Sequence, residues 1–361
     1  MSAIRPLERA DLPQVVSLYE HVARSRSRTP PPGLADYFER TFLDHPWADE
    51  DIPSLVYAEG DRILGFLGSS VRRLELEGRP VRMGISGQLV TEPEVRKRAA
   101  GAFLMREYMS GAQDLTITDT ASDMVRRIWE GVGGETSQLA CIGWVRIFRP
   151  AQFASAYRGR QQVEPVRRAK ISQVLDTVTS PLASRALRPD RAGELQAEEL
   201  TPAELVTQVR DVKFRLRPAY DEGFAEWLLR EVAAVGSRGT LVKHLVRGAD
   251  GRVRGWYVYY LVPGGISQVL QIGAEERNVP DVLDHLLGHA YDAGSAAIQG
   301  RLEAHVREPL AQRRALFHQS GFLVLIHAKD REILHAIQAG HALLTRLEGE
   351  FWMGHHLEPF Q

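Results

Sequence analysis

Residues 88–105 read QLVTEPEVRKRAAGAFLM. An apolar strand end, a turn at Glu92-Pro93, a basic triplet and a run of small residues opening an apolar helix follow one another without a gap. A helix N-terminus leaves its first backbone N–H groups without intrahelical partners, and such groups gathered in a concavity accept phosphate oxygens. Side chains there would hold a phosphate off the backbone, so Ala99, Ala100, Gly101 and Ala102 suit the task, and Arg96, Lys97 and Arg98 add positive charge beside it. The competing reading is an ordinary Ala-rich helix with a solvated basic start.

Upstream, SLVYAEG (54–60), RILGFLGSSVRRLELEG (62–78) and VRMGISGQLVTEP (81–93) are strand-like runs joined by Gly-containing turns, which predicts an antiparallel meander. Before them, Leu12, Val15, Val16, Leu18 and Tyr19 predict an amphipathic helix with Asp11 as its cap. The segment SRSRTPPPG (25–33) predicts a mobile loop with solvated arginines. Downstream the pattern becomes helix (98–111), strand (113–118), helix (121–132) and strand (137–147). The domain reads as mixed α/β.

That order recurs about 185 residues later, with corresponding starts at 54 and 240, 83 and 266, 113 and 296, 137 and 322. TLVKHLVRG and VRGWYVYYLVPGG repeat the meander, ISQVLQIGA the third strand, VPDVLDHLLGHAYDAG a helix and AAIQGRLEA a strand. PLAQRRALFHQSG then predicts a helix and FLVLIHA the closing strand. An internal duplication of a whole domain explains this economically. The expected division is an N-terminal domain over 1–150, a linker over 151–200 with one helix near Ile171 to Val178, and a second domain over 201–361. REILHAIQAGHALLTRLEG predicts a final helix ended by Gly349, followed by a short aromatic tail.

Composition bounds the function. At 361 residues, with 44% hydrophobic and 25% charged residues, the chain has room for two globular cores. Lys+Arg 45 against Asp+Glu 46 leaves a formal charge of -1, which offers no field to nucleic acid. No apolar run long enough for a membrane span and no secretion-signal core is present, so the expected location is the cytoplasm. The single cysteine, Cys141, sits in the apolar run LACIGWVRIF and reads as core. Adjacent His355 and His356 read as solvated, and no metal is expected.

The run Arg96-Lys97-Arg98-Ala99-Ala100-Gly101 resembles the acyl-CoA pyrophosphate loop of the GNAT N-acyltransferases, R/Q-x-x-G-x-G/A, with Ala99 in place of the first glycine. SDMVRRIWEGVGG (122–134) is similar to that family's later helix, and LAQRRALFHQSGF (310–322) to its ending. The resemblance covers nearly the whole chain apart from the linker and tail, with the cofactor motif in the first half only. The second half has AEERNVPDVL at that place, whose acidic residues and proline do not suit a diphosphate.

The resemblance implies two tandem GNAT-like domains and an N-acyltransferase using acetyl-CoA or a longer acyl-CoA, with a small-molecule or peptide amine as acceptor. Specialised-metabolite or peptide lipidation falls within that range. Pantetheine would lie between two splaying strands, paired with main-chain groups of Leu89, Val90 and Thr91, and Gly84 and Gly87 would permit a bulge. The slot of the family's proton-donating tyrosine holds Trp129 here and Phe317 in the second half. Asp119 and Ser122 are the candidate proton acceptors, against a capping role for each, and Gln88 is a candidate to orient an acceptor. Glu303 and His305, at the corresponding place in the second half, read as a solvated loop, against the alternative that they face the first domain. Trp256, Tyr257, Tyr259 and Tyr260 read as core or as the wall of an acyl channel. A different class, a non-catalytic module binding acyl-CoA or a protein, stands beside the enzyme. Oligomeric state is not legible.

Overall fold

The computed structural model describes residues 2–25, 27–159, 187–189, 193–354 and 358–360. Its first half runs β1 (Ser2–Pro6), α1 (Leu12–Tyr19), α2 (Gly33–Phe42), β2 (Leu55–Glu59), β3 (Arg62–Leu76) and β4 (Arg79–Thr91). It continues through one-turn α3 (Pro93–Arg96), α4 (Ala100–Met109), β5 (Leu115–Ala121), α5 (Asp123–Gly131), β6 (Glu135–Thr136), β7 (Ile142–Ile147) and α6 (Pro150–Gly159). The apolar face of α1 is buried against Phe38 of α2 and Phe66 of β3, as its periodicity predicts. Asp11 does not cap α1 through its side chain; it pairs with Arg5 instead, 2.6 Å away. Prolines 30–32 end in the start of α2, and Arg28 forms an ion pair with Glu92 at 2.8 Å.

The second half runs β8 (Gln196–Glu199), α7 (Pro202–Asp211), β9 (Leu216–Pro218), α8 (Glu222–Ala233), β10 (Thr240–Arg247), β11 (Val253–Leu261) and β12 (Ile266–Ala274). Then come α9 (Val279–Asp292), β13 (Ala297–Arg301), α10 (Arg307–Gln312), β14 (Leu316–Gln319), β15 (Leu323–Ala328) and α11 (Arg331–Gln338). The helix predicted near Ile171 to Val178 lies outside the described residues, as do His355 and His356.

Two mixed sheets result, with orders β1-β2-β3-β4-β5-β15-β6 and β14-β7-β13-β12-β11-β10-β8, and β9 added beside β3. The closing strands are exchanged. β7, from the first half, pairs with β13 of the second, and β15, from the second half, pairs with β5 of the first. Each exchanged strand meets a tryptophan hydrogen bond at its seat. Trp129 Nε1 donates to the Ile326 carbonyl at 3.0 Å in the first sheet, and Trp144 Nε1 of β7 donates to the Arg301 carbonyl at 3.1 Å in the second.

Two further expectations change. Residues 309–321 are not one helix: α10 ends at Gln312 and the chain turns into β14, with Arg314 at a left-handed φ of 59°. The final helix stops at Gln338, because Gly340 adopts φ 75° and turns the chain, and residues 342–354 cross between the sheets without regular structure.

One continuous core joins the halves. Leu74, Met83, Ile85 and Ile117 of the first sheet share it with Leu245, Trp256, Val258 and Leu270 of the second and with Phe224 and Leu228 of α8. Trp256, Tyr257, Tyr259 and Tyr260 are fully buried, so this aromatic strand is core. Each such side chain contributes on the order of 1.5–3 kcal/mol through burial. Cys141 is buried too, and burial raises its thiol pKa, away from nucleophilic use.

Candidate active site

The site begins where two parallel strands part. β4 pairs with β5 only over Met83–Ile85 against Leu115–Ile117. On its other side β4 is bulged: Gly87 pairs with Gly68 and Val90 with Phe66, so Gln88 and Leu89 together face Leu67. Gln88, the first of the two bulged residues, takes the left-handed φ of 56°. A wedge opens between the two strands beyond Ile85. Leu89 is half-buried, while Val90 belongs to the core behind the sheet.

The wedge runs into the loop that decides the sequence reading. Arg98 N–H bonds to the Val95 carbonyl and Ala99 N–H to that of Arg96, and Ala99 then turns left-handed at φ 58°, from which α4 starts. The N-cap residue, Ala99, has no side chain that can cap α4, and the N–H groups of Ala100, Gly101 and Ala102 begin the helix after it. A Cβ on Gly101 would meet Leu89 and Thr91 at 3.7 and 3.9 Å, so the glycine faces the end of β4 across open ground. The basic triplet is partly committed: Arg96 Nε donates to the Thr91 carbonyl at 3.1 Å and Arg98 pairs with Glu59 at 2.6 Å. Lys97 is exposed beside them.

The other wall of the wedge holds a residue that sequence reasoning missed. The C-terminal segment brings Glu350 to β5, where its Oε1 accepts hydrogen bonds from Thr118 Oγ1 at 2.5 Å and Thr120 Oγ1 at 2.8 Å. A Cβ on Gly87 would stand 2.6 Å from Glu350 Oε2, so the carboxylate lies between β4 and β5 in space that only a glycine leaves free. Burial pushes the Glu350 carboxyl up to about 7, helped by the charge of Asp119 and opposed by the two threonines. An acid embedded in the apolar run EFWM was the signal available for it.

Asp119 is buried and binds the segment rather than facing the wedge. Its Oδ1 accepts from the N–H groups of Glu350 and Phe351 at 2.8 and 3.1 Å, and its Oδ2 lies 3.5 Å from Arg301 Nη1. Burial raises its pKa, with Arg301 and those N–H groups acting against the rise. Ser122 caps α5 by accepting from Val125 N–H and is exposed. Trp129 is core, its indole N–H committed to β15. The same segment also grips the second sheet. Glu348 accepts from Thr345 N–H at 2.7 Å, Gln271 Nε2 at 2.9 Å and Tyr220 Oη.

A second wedge lies between β12 and β13, whose pairing stops at Gln268 and Gln299, and Leu270 is the extra residue of a bulge there. Glu303 and His305 are not in a solvated loop: both are half-buried, and His305 Nε2 donates to the Ile272 carbonyl at 3.1 Å. Arg346 Nη1 reaches Gln268 Oε1 at 3.5 Å. The loop after β12 has no left-handed residue; Glu275 pairs with Arg277 at 2.8 Å, and Pro280 and Asp281 open α9. A groove of about 980 Å³ at its mouth is lined by residues including Phe214, Ala274, Glu276, Ala304, His305 and His341.

Among the described residues no group of His, Cys, Asp and Glu is arranged to hold a metal ion, and no helix is long and apolar enough to cross a membrane. Neither a protein-family model nor a curated protein matches the sequence. Solved structures match the fold. A GCN5-related N-acetyltransferase from Anabaena variabilis superposes with a TM-score of 0.58 at 11% identity, covering 92% of this chain and 74% of that one. One from Kribbella flavida gives 0.52 at 14% identity over 92% and 72%, and Eis1 from Mycobacterium abscessus 0.52 at 13% over 92% and 75%. The chain therefore has the GNAT fold, as two mixed sheets in tandem.

Proposed function

We propose that the protein is an acyl-CoA-dependent N-acyltransferase that binds its donor in the first wedge and transfers an acetyl or longer acyl group to an amine of a small molecule or peptide. One observation carries this: the bulged, splayed end of β4 leads directly into the left-handed turn at Ala99 and the uncapped start of α4. The residues present fit the donor. The α4 N–H groups, with Lys97 and the uncommitted part of the basic triplet, would hold the diphosphate, and the main chain of Leu89, Val90 and Thr91 would pair with pantetheine. Acyl-CoA, when bound, supplies an activated thioester. Glu350 is the residue in the wedge that can take a proton from an acceptor ammonium, since a carboxylate with a pKa near 7 is matched to that step at neutral pH. Asp119 holds Glu350, and Ser122 holds α5. The location proposed is the cytoplasm.

A second reading, a module that binds acyl-CoA or a protein without turnover, is favoured by one observation: Trp129 is sealed in the core and donates no proton to a departing thiolate. Isothermal titration with CoA, followed by thioester consumption over a panel of amines, separates the two. We expect Glu350→Gln to keep CoA affinity and lose about 10²–10⁴-fold in kcat. No CoA binding at millimolar concentration ends the donor assignment, and binding without turnover selects the module.

A further inference from the structure

Arg301 belongs to the sheet whose loop carries no phosphate cradle, yet its guanidinium ends at the first wedge. Nη1 stands 3.5 Å from Asp119 Oδ2, and Nη2 donates to the Leu344 carbonyl at the root of the C-terminal segment. The side chains are 5% and 0% exposed, so the pair is desolvated and each charge depends on the other. Asp119 turns its second oxygen to the N–H groups of Glu350 and Phe351. Gly349 is the residue that lets the backbone approach so closely, because a Cβ there would collide with the Asp119 carboxylate. Guanidinium, carboxylate, backbone and Glu350 form one chain of contacts from β13 to the gap between β4 and β5.

We propose that Arg301 is a positioning residue for the first wedge: by holding Asp119 it sets the backbone at 349–351 so that the Glu350 carboxylate stands between β4 and β5. The proposal depends on the acyltransferase reading for its kinetic consequence and on geometry alone for the rest. The titratable groups that act on Glu350 are Asp119 on β5 and Tyr19 on α1, and Arg301 on β13 and Arg346 in the segment act on Asp119. The charge of Asp119 raises the proton affinity of Glu350, and Arg301 opposes the burial that raises the proton affinity of Asp119 itself. Without Arg301, the buried Asp119 takes up a proton more readily, with Arg346 and the two N–H groups left to oppose it, so its repulsion on Glu350 weakens and Glu350 titrates at lower pH.

The test uses the full chain as wild type, Arg301→Gln, Arg301→Lys and Asp119→Asn. The Glu350 carboxyl is titrated by infrared difference spectroscopy, with Glu350→Gln locating its band, and CoA affinity and the pH dependence of kcat are measured beside it. In wild type the midpoint is expected near 7. In Arg301→Gln and Asp119→Asn it should fall by about one pH unit or more, and the acid limb of kcat should move with it, while CoA affinity stays unchanged. Arg301→Lys should remain closer to wild type. A folded Arg301→Gln that binds CoA and keeps both the midpoint and the acid limb overturns the proposal. If Arg301→Gln does not fold, Asp119→Asn decides alone, an unmoved midpoint overturning it. A shifted midpoint in a protein that turns over no amine removes the acyltransferase reading and leaves the positioning role supported; an unshifted one in an active enzyme does the reverse.

Discussion

The two wedges share a splayed pair of parallel strands, a bulge on the inner strand and a helix behind it. They differ in the turn that follows and in what fills them. After β4 the chain passes through Ala99 in the left-handed region and opens α4 with small residues; after β12 it passes through Glu275 and Glu276 and opens α9 with Pro280 and Asp281. The first gap takes a carboxylate, Glu350, and the second takes a guanidinium and an imidazole, Arg346 and His305. Strand geometry is thus common to the two sheets, while the turn residues and the side chains that enter each gap differ, and the proposed donor assignment rests on that difference.

Three changes sharpen or break that contrast. The largest effect is expected from Gly101→Glu, which sets a carboxylate against the α4 N-terminus. CoA affinity should fall by at least about 2 kcal/mol, roughly 30-fold, in a protein whose circular dichroism is unchanged, since a Cβ there meets only ordinary contacts. Wild-type affinity for CoA in this variant would move the donor to the other wedge.

Next is the pH dependence of stability. The Glu350 pKa is raised from an ordinary carboxylate value of 4.5 to about 7, so the folded state holds this proton more tightly than the unfolded one. That contribution is full below about pH 4.5 and is lost as pH rises through about 7, a change of up to about 3 kcal/mol. Glu350→Gln has no such loss. Its stability relative to wild type, from urea unfolding, should rise by about 3 kcal/mol between pH 4.5 and 8. Parallel curves for the two proteins would mean that Glu350 is solvated and not in the wedge.

The smallest effect is the expected null. Glu276→Ala lies in the loop to which no phosphate is assigned in the proposed donor site, and CoA affinity should stay within about twofold of wild type. A substantial loss would show that the second wedge contributes to donor binding.

Much of the first wedge was legible because its determinants are local. Small residues at 99–102, the turn at Glu92-Pro93 and the glycines of β4 each report on the backbone around themselves. The meander of each half was legible for the same reason. The exchange of β7 and β15 was not, since each strand lands in a seat equivalent to the one it left, and an apolar run such as FLVLIHA carries no mark of which sheet it completes. The end of the chain misled through its pattern: Leu343, Leu344 and Leu347 keep a helix-like spacing with Ile333 and Ile337, but they are buried by the meeting of two sheets after Gly340 has broken the helix. Glu350, more than 200 residues from Thr118 in sequence, has a meaning that appears only when that segment docks.

The exchanged strands also bear on how the molecule is made. While the ribosome has delivered only the first half, the edge of β5 that will receive β15 stays open, and β7 has no β13 beside it. Closure of the first sheet waits until residues 323–328 have emerged, and contacts of such long range fold slowly. Each half lacks a strand of its own sheet, so separate expression is expected to give fragments with open strand edges, whereas the two fragments supplied together contain every strand each sheet needs. The exchange of β7 and β15 ties the two sheets into one cooperative unit.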